Sequence, residues 1–482
     1  VAIGYEALKT QNPSSAADMY NVGIGFNAGQ QITTGDRNVA VGSTALDACT
    51  TGQYNTAVGN DALTSLTTAA NITAVGISAG AAITTGASNT AIGARALAAT
   101  TTGANNTATG FEALKANTTG ASNCAFGYIS LVGNTTGVNN TSMGFYSLVS
   151  NTTGTDNNGF GYGTLLNCTT GYNNVGLGGG ATYLASALQS VTTGYRNVGL
   201  GVGAGAGITT GVHNTTVGDA ALYTLQGGSN NVAIGHTALS SQTSASGNTV
   251  VGQKAGFAVT TGANNVLIGQ NAGETVTTGP NNVLIGQAAG SYDGADLTTG
   301  GQNVIVGNYS KVSAAAAAGQ AVMGYFVTSV GNYNFTFGNA TNDSNIQFGA
   351  TSISAPSDER YKEEITTSTA GLSFIKDLRP VTFKWKKEKD VPSDHQAYVE
   401  GSDTRVMFSN GEIVHGFIAQ EVKAAIDNHS EIKDGFDMWS EQELDENGNS
   451  TGGRQRLADG ALIPVLVKAI QELEARIATL EG

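Results

Sequence analysis

The chain has 482 residues, 67 of them glycine, with only 12% charged residues and a formal net charge of −14. At about 150 residues per domain the length alone suggests three ordinary domains, yet residues 1–350 carry 19 charged side chains and residues 351–482 carry 39, so two different materials meet near residue 350. The acidic balance leaves no basic stripe for nucleic acid, and without a run of 18 apolar residues no membrane insertion is expected.

Internal repetition dominates the first material. The unit reads Asn-x-Ala-apolar-Gly, then x-x-Ala-Leu or x-x-Ala-Gly, then Thr-Thr-Gly and a polar turn. Its leading Asn falls at 21, 38, 55, 71, 89, 106, 123, 140, 158, 174, 197, 214, 231, 248, 265, 282 and 303. Ten of those sixteen intervals are 17 residues and the others are 16, 18, 18, 16, 23 and 21; Thr-Thr-Gly occurs thirteen times. The longest intervals read as insertions, such as Ala181 to Ser190, that bulge from one face and are candidate contact points. Runs such as Asn265-Val266-Leu267-Ile268-Gly269 have the length and alternation of five-residue strands. Two such strands and two turns consume the repeat, which predicts one coil of a β-solenoid. In-register stacking puts each Asn in a ladder and each Gly at a tight corner, and seventeen coils about 4.8 Å apart make a rod of roughly 80 Å. A thin coil buries little, so lateral association is expected, and a homotrimeric fibre is the favoured state. The repeats resemble the heads of trimeric autotransporter adhesins, whose coils carry a similar Asn-x-Val-Ala-Ile-Gly strand.

Catalysis within the repeats is not expected. Twelve acidic residues are scattered over 350 positions, whereas glycoside cleavage needs two carboxylates at one site and a calcium-binding roll needs an Asp in every coil. No metal or cofactor is called for. The Thr pairs suggest an ice-binding hydroxyl array, but a Thr-rich turn satisfying its own backbone explains them more simply. Cys49, Cys124 and Cys168 lack metal or disulfide spacing and read as small apolar residues. Val1 opens inside a repeat, so an N-terminal anchor is expected outside this sequence.

Residues 333–356 follow as an alternating strand segment, with Phe335, Phe337, Ile346, Phe348 and Ile353. The last unit, 357–482, contains three motifs: Ser357-Asp358-Glu359-Arg360-Tyr361-Lys362, then Leu378-Arg379-Pro380-Val381-Thr382-Phe383-Lys384-Trp385, then His415-Gly416-Phe417-Ile418-Ala419-Gln420-Glu421-Val422. A helix over about 460–482 closes the chain. Its Ile463, Leu466, Ile470, Leu473, Ile477 and Leu480 alternate three and four apart, the seam of a short coiled coil. Phe383, Trp385 and His415 read as core residues. The expected fold class is therefore mainly β: a solenoid shaft over 1–332, the strand segment, and a small α+β domain ending in a coiled-coil helix.

Together these motifs resemble the endosialidase-type intramolecular chaperone, a self-cleaving domain at the C-terminus of phage tail fibres and tailspikes. The resemblance spans Ser357 to Gly482. It implies that the domain trimerises the fibre and is released by cutting at Pro356–Ser357, with Ser357 as nucleophile, Lys362 as its partner, and Asp358 and Arg360 orienting the site. A lysine can serve as base for a serine when desolvation lowers its pKa, and five residues' separation lets Lys362 fold back on Ser357. Taken alone, Ser357-Asp358 also reads as an ordinary helix cap. The expected activity is a single self-cutting event, not a turnover enzyme. On this reading the protein is a virion tail fibre whose partners are two further copies, a host-surface glycan or protein, and other tail proteins. A cellular adhesin or extracellular filament with the same chaperone, and a polysaccharide-degrading tailspike, are the alternatives.

Overall fold

Each 17-residue repeat closes one coil around a strand of only three residues. In the computed structural model nineteen strands, from β1 (Ala2–Ile3) through β19 (Ala321–Tyr325) and all but these two of three residues, stack as one parallel sheet. The described residues are all except 12–18, 181–184, 295, 341, 351–352, 354–361, 394–396, 407–411, 433–435, 437, 445–449 and 482. The chain divides into two units, Val1–Pro356 and Ser357–Gly482.

The register is one repeat per rung. Between β7 (Thr107–Thr109) and β8 (Cys124–Phe126), Thr107 faces Cys124, Ala108 faces Ala125 and Thr109 faces Phe126. Only the middle residue of each strand points inward, so Ala108 and Ala125 are fully buried, as a period of two demands. The second strand expected from the sequence does not form. On that side Ala113 and Leu114 are both fully buried, and two consecutive inward residues cannot belong to a pleated strand. The backbone turns instead, with Glu112 at φ 54° and Leu114 at φ 52°.

The leading Asn is an inter-coil staple. The N–H of Asn123 donates to Asn106 Oδ1 at 3.0 Å, and Asn106 Nδ2 donates to the Gly120 carbonyl at 2.9 Å. These bonds correct the repeat spacing. The residue donating to Asn55 Oδ1 is Ile72, at 3.1 Å, not Asn71, and the one donating to Asn140 Oδ1 is Asn157, at 3.0 Å, not Asn158. Asn71 and Asn158 merely neighbour the slot, so the apparent intervals of 16 and 18 are all 17. The corner glycine is equally fixed: Gly110 lies at φ 137°, and a Cβ there would sit 2.3 Å from the Gly127 carbonyl oxygen.

Two variants of the unit, Ala-Leu and Ala-Gly, fill the interior in different ways. Where the slot is glycine, an Ile or Val three residues later occupies the space: a Cβ on Gly29 would lie 2.9 Å from Ile32 Cδ1. Volume moves between slots while the core stays filled. The first Thr of each pair spends its hydroxyl on the next coil, as Thr118 Oγ1 does on the Thr135 carbonyl at 3.0 Å. The Thr pair is thus a turn device, and only its second hydroxyl faces outward.

The shaft ends where β20 (Asn334–Asn339) adds in parallel to β19 and β21 (Asn342–Gln347) reverses direction against β20. In the C-terminal unit α1 (Leu372–Asp377), α2 (Ala419–Asp427) and α3 (Leu462–Glu481) accompany two antiparallel pairs, β22 (Val381–Phe383) with β23 (Val414–Gly416) and β24 (Trp439–Leu444) with β25 (Ser450–Leu457). Phe374, Val422, Ile426, Met438, Leu462 and Val465 form its core.

Candidate functional site

Two of the three C-terminal motifs meet. The second becomes β22 and the third becomes β23 and the start of α2; Val381 pairs with Gly416, Thr382 with His415 and Phe383 with Val414. Arg379 closes the junction through a forked pair with Glu421: Nε donates to Oε2 at 2.9 Å and the terminal nitrogen donates to Oε1. That guanidinium holds the Glu421 carboxyl below its ordinary range. The sequence reading assigned Arg379 and Glu421 no role, although both lie inside its motifs; spacing alone does not announce a pair 42 residues apart. Gly416 leaves room for the Phe383 ring, which would lie 3.3 Å from a Cβ there, and Phe383 meets Trp385 edge to face at 5.3 Å.

His415, expected in the core, is exposed. It points away from the sheet's packed side because its cross-strand partner is the exposed Thr382. The two line a shallow cleft with Pro380, Val381, Gly416, Phe417 and Asp459. Phe383 and Trp385 are half-buried.

Pro356, Ser357, Asp358 and Arg360 lie outside the described residues; Lys362 is described and exposed. The residues of the expected trimerisation seam all lie on α3. Its inner face, Leu462, Val465 and Ala469, is buried, while Ile463, Leu466, Ile470, Leu473, Ile477 and Leu480 are 41–87% exposed. The helix thus carries two apolar faces, one buried and one exposed. Glu472 of α3 also caps α1, accepting the Leu372 N–H at 3.0 Å.

A second polar junction joins the ends of α1 and α2. His429 Nε2 lies 2.8 Å from Asp377 Oδ2 and its Nδ1 lies 2.9 Å from Glu431 Oε1. The ring packs edge to face on Phe374 at 5.5 Å. The Asp377 and Glu431 carboxylates hold its pKa above the ordinary imidazole value.

In the shaft, burial pushes the thiols of Cys49 and Cys168 up to about 11 and about 12, which removes them as nucleophiles at neutral pH. Among the described residues no cluster of His, Cys, Asp and Glu could hold a metal ion, and no helix is long and apolar enough to cross a membrane.

Residues 357–431 match the family described as chaperone of endosialidase. No curated protein and no solved structure matches the chain. The matched segment opens at the serine of the first motif and contains both strands of the β22–β23 pair. The chain is thus a mainly β protein in which a solenoid of about nineteen turns precedes a small C-terminal unit with a helix at its end, part of which matches the chaperone of endosialidase.

Proposed function

We propose that the chain is the shaft and intramolecular chaperone of a homotrimeric fibre, most specifically a phage tail fibre that reaches a host surface. The observation that carries this reading is the order of parts: a long repetitive solenoid joined at residue 357 to a segment matching the chaperone of endosialidase. The bare seam of α3 supports it, since three such helices would cover one another's isoleucines and leucines. A rod that carries no recurrent catalytic pair serves reach and multivalent contact. Insertions are its natural contact points; the one beginning at Gly178 is held at its far end by Ser186, whose hydroxyl donates to the Tyr162 carbonyl at 2.7 Å, while residues 181–184 lie outside the described residues.

Self-cleavage belongs to the same proposal. The neutral amine of Lys362 would take the proton of the Ser357 hydroxyl as Oγ adds to the Pro356 carbonyl carbon. The Ser357 nitrogen then departs with that proton, leaving an ester between Pro356 and Ser357 Oγ. Water hydrolyses the ester to a Pro356 carboxylate and a free Ser357. The denatured intact mass of freshly expressed protein tests it beside Ser357→Ala. Fragments of 356 and 126 residues from wild type and an uncut variant of 48.7 kDa are expected. If wild type stays whole, the cleavage proposal fails and the domain is a retained cap.

A further inference from the structure

In the middle of the rod one inward column is polar, beside the buried Leu114, Leu131, Leu148 and Leu165, and an outer column is aromatic. From β7 to β10 (Asn158–Phe160) the inward column that elsewhere carries Ile32, Leu66 and Ile83 carries Asn117, Asn134 and Asn151, all fully buried. Asn134 Nδ2 donates to Asn117 Oδ1 at 2.8 Å and Asn151 Nδ2 donates to Asn134 Oδ1 at 2.7 Å; Asn151 Oδ1 has no partner. Ser142 and Ser147 replace buried alanines in the same coils. Outside, Phe111, Tyr128, Phe145 and Tyr162 form a column, each ring 41–42% exposed, with centroids 4.9–5.5 Å apart and planes within 14°. Only the corner glycine separates Tyr128 from Phe126, and Phe145 from Met143, both exposed on the outward strand face.

We propose that this aromatic block is the principal contact between copies of this chain along the shaft. This deepens the trimeric reading above and rests on it. Three features select a second copy as the occupant. First, the outward strand face, which carries Phe126 and Met143 beside the ring column, runs the full length of the sheet without one charged residue from β1 to β19, although the column's own slot holds Asp219 farther along. Nineteen strands about 4.8 Å apart and about 10 Å wide offer about 900 Å² per chain, the size of a stable interface. Second, the rings stack face to face and turn their edges outward. A sugar seeks a ring face, whereas a ladder of the same spacing meshes with edges rung by rung. Third, these coils have exchanged part of their interior apolar volume for amides and hydroxyls while keeping Leu114, Leu131, Leu148 and Leu165 buried, and covering the outer rings would withdraw further apolar surface from water. Aromatic residues and methionine at the centre of an uncharged patch are the usual composition of a contact that dominates binding.

The test uses the full chain. Sedimentation of wild type, of Tyr128→Ser/Phe145→Ser and of Ile470→Asp in α3 is compared, with Phe257→Ser, whose ring is exposed away from the strand face, as control. Trimeric wild type and control, with at least tenfold less trimer in the double variant at equal concentration, are expected. A double variant as trimeric as wild type, with Ile470→Asp alone dissociating, overturns the inference and leaves the trimeric fibre standing. A monomeric wild type overturns both. Cys124 covers the case of a variant that fails to fold, because it lies on the outward face of β8 in wild type while Cys49 and Cys168 are buried. A short bis-maleimide is expected to join Cys124 between copies, and Cys124 modified by the reagent without joining two chains overturns the inference.

Discussion

Asn123 shows what one side chain does for the stack. Its N–H bonds Asn106 Oδ1, its Oδ1 accepts the Asn140 N–H at 3.0 Å, and its amide donates to the Gly137 carbonyl at 2.9 Å. Replacing it with Ala strands one buried donor and one buried acceptor, each costing about 1–3 kcal/mol. Asn123→Ala is therefore expected to destabilise the shaft by about 2–6 kcal/mol, read as a lower denaturant midpoint by circular dichroism. His429 acts in the other unit and through pH. Its folded pKa is raised, so its contribution is complete below the ordinary imidazole value near 6.5 and disappears as pH rises through the raised value. The C-terminal unit is expected to lose on the order of 1 kcal/mol between mildly acidic and mildly alkaline pH. His429→Gln should flatten that dependence, and an unchanged slope in thermal melts would remove the clamp from the account.

At the scale of elements, α3 presents a buried apolar face and an exposed one. Ile470→Asp is expected to abolish trimer formation in sedimentation while Val465 and Ala469 keep the helix docked. Glu472→Ala is expected to leave the seam intact but to uncap α1, costing about 1 kcal/mol in the melting of the C-terminal unit. The helix and its exposed apolar row were legible in the sequence because a three-and-four spacing is a property of one helix. The Glu472 cap was not, because its partner lies 100 residues away. The coil was legible by the same logic only in part. Its period and its buried Asn followed from repetition, yet Ala113-Leu114 looked like half of a second strand until both proved to face inward. The slot at Ile72 was hidden for a chemical reason. Its N–H needs only the Asn55 carboxamide, so the position tolerates a residue without an amide of its own.

For the whole molecule, the division near residue 350 was visible in charge density because a stacked interior excludes charge that a small globular unit places on its surface. The chemistry proposed at Ser357 was visible only as a motif, and Lys362 is the member of it among the described residues. The stack itself makes a further prediction. Deleting residues 123–139, one whole coil, keeps every staple in phase and is expected to leave the melting temperature within a few degrees. Deleting 123–138 slips the next strand by one residue, exchanging its inward and outward faces, and is expected to unfold the neighbouring coils. Thermal melts of the two deletions separate these outcomes.

Because each coil is bonded only to the coils beside it, the shaft behaves as a ruler graduated in whole repeats. A gene that gains or loses one copy lengthens or shortens the reach of its product by about 4.8 Å. Neither end has to change to accommodate the new span, so distance to a target can drift under selection while whatever sits at the two ends stays as it is.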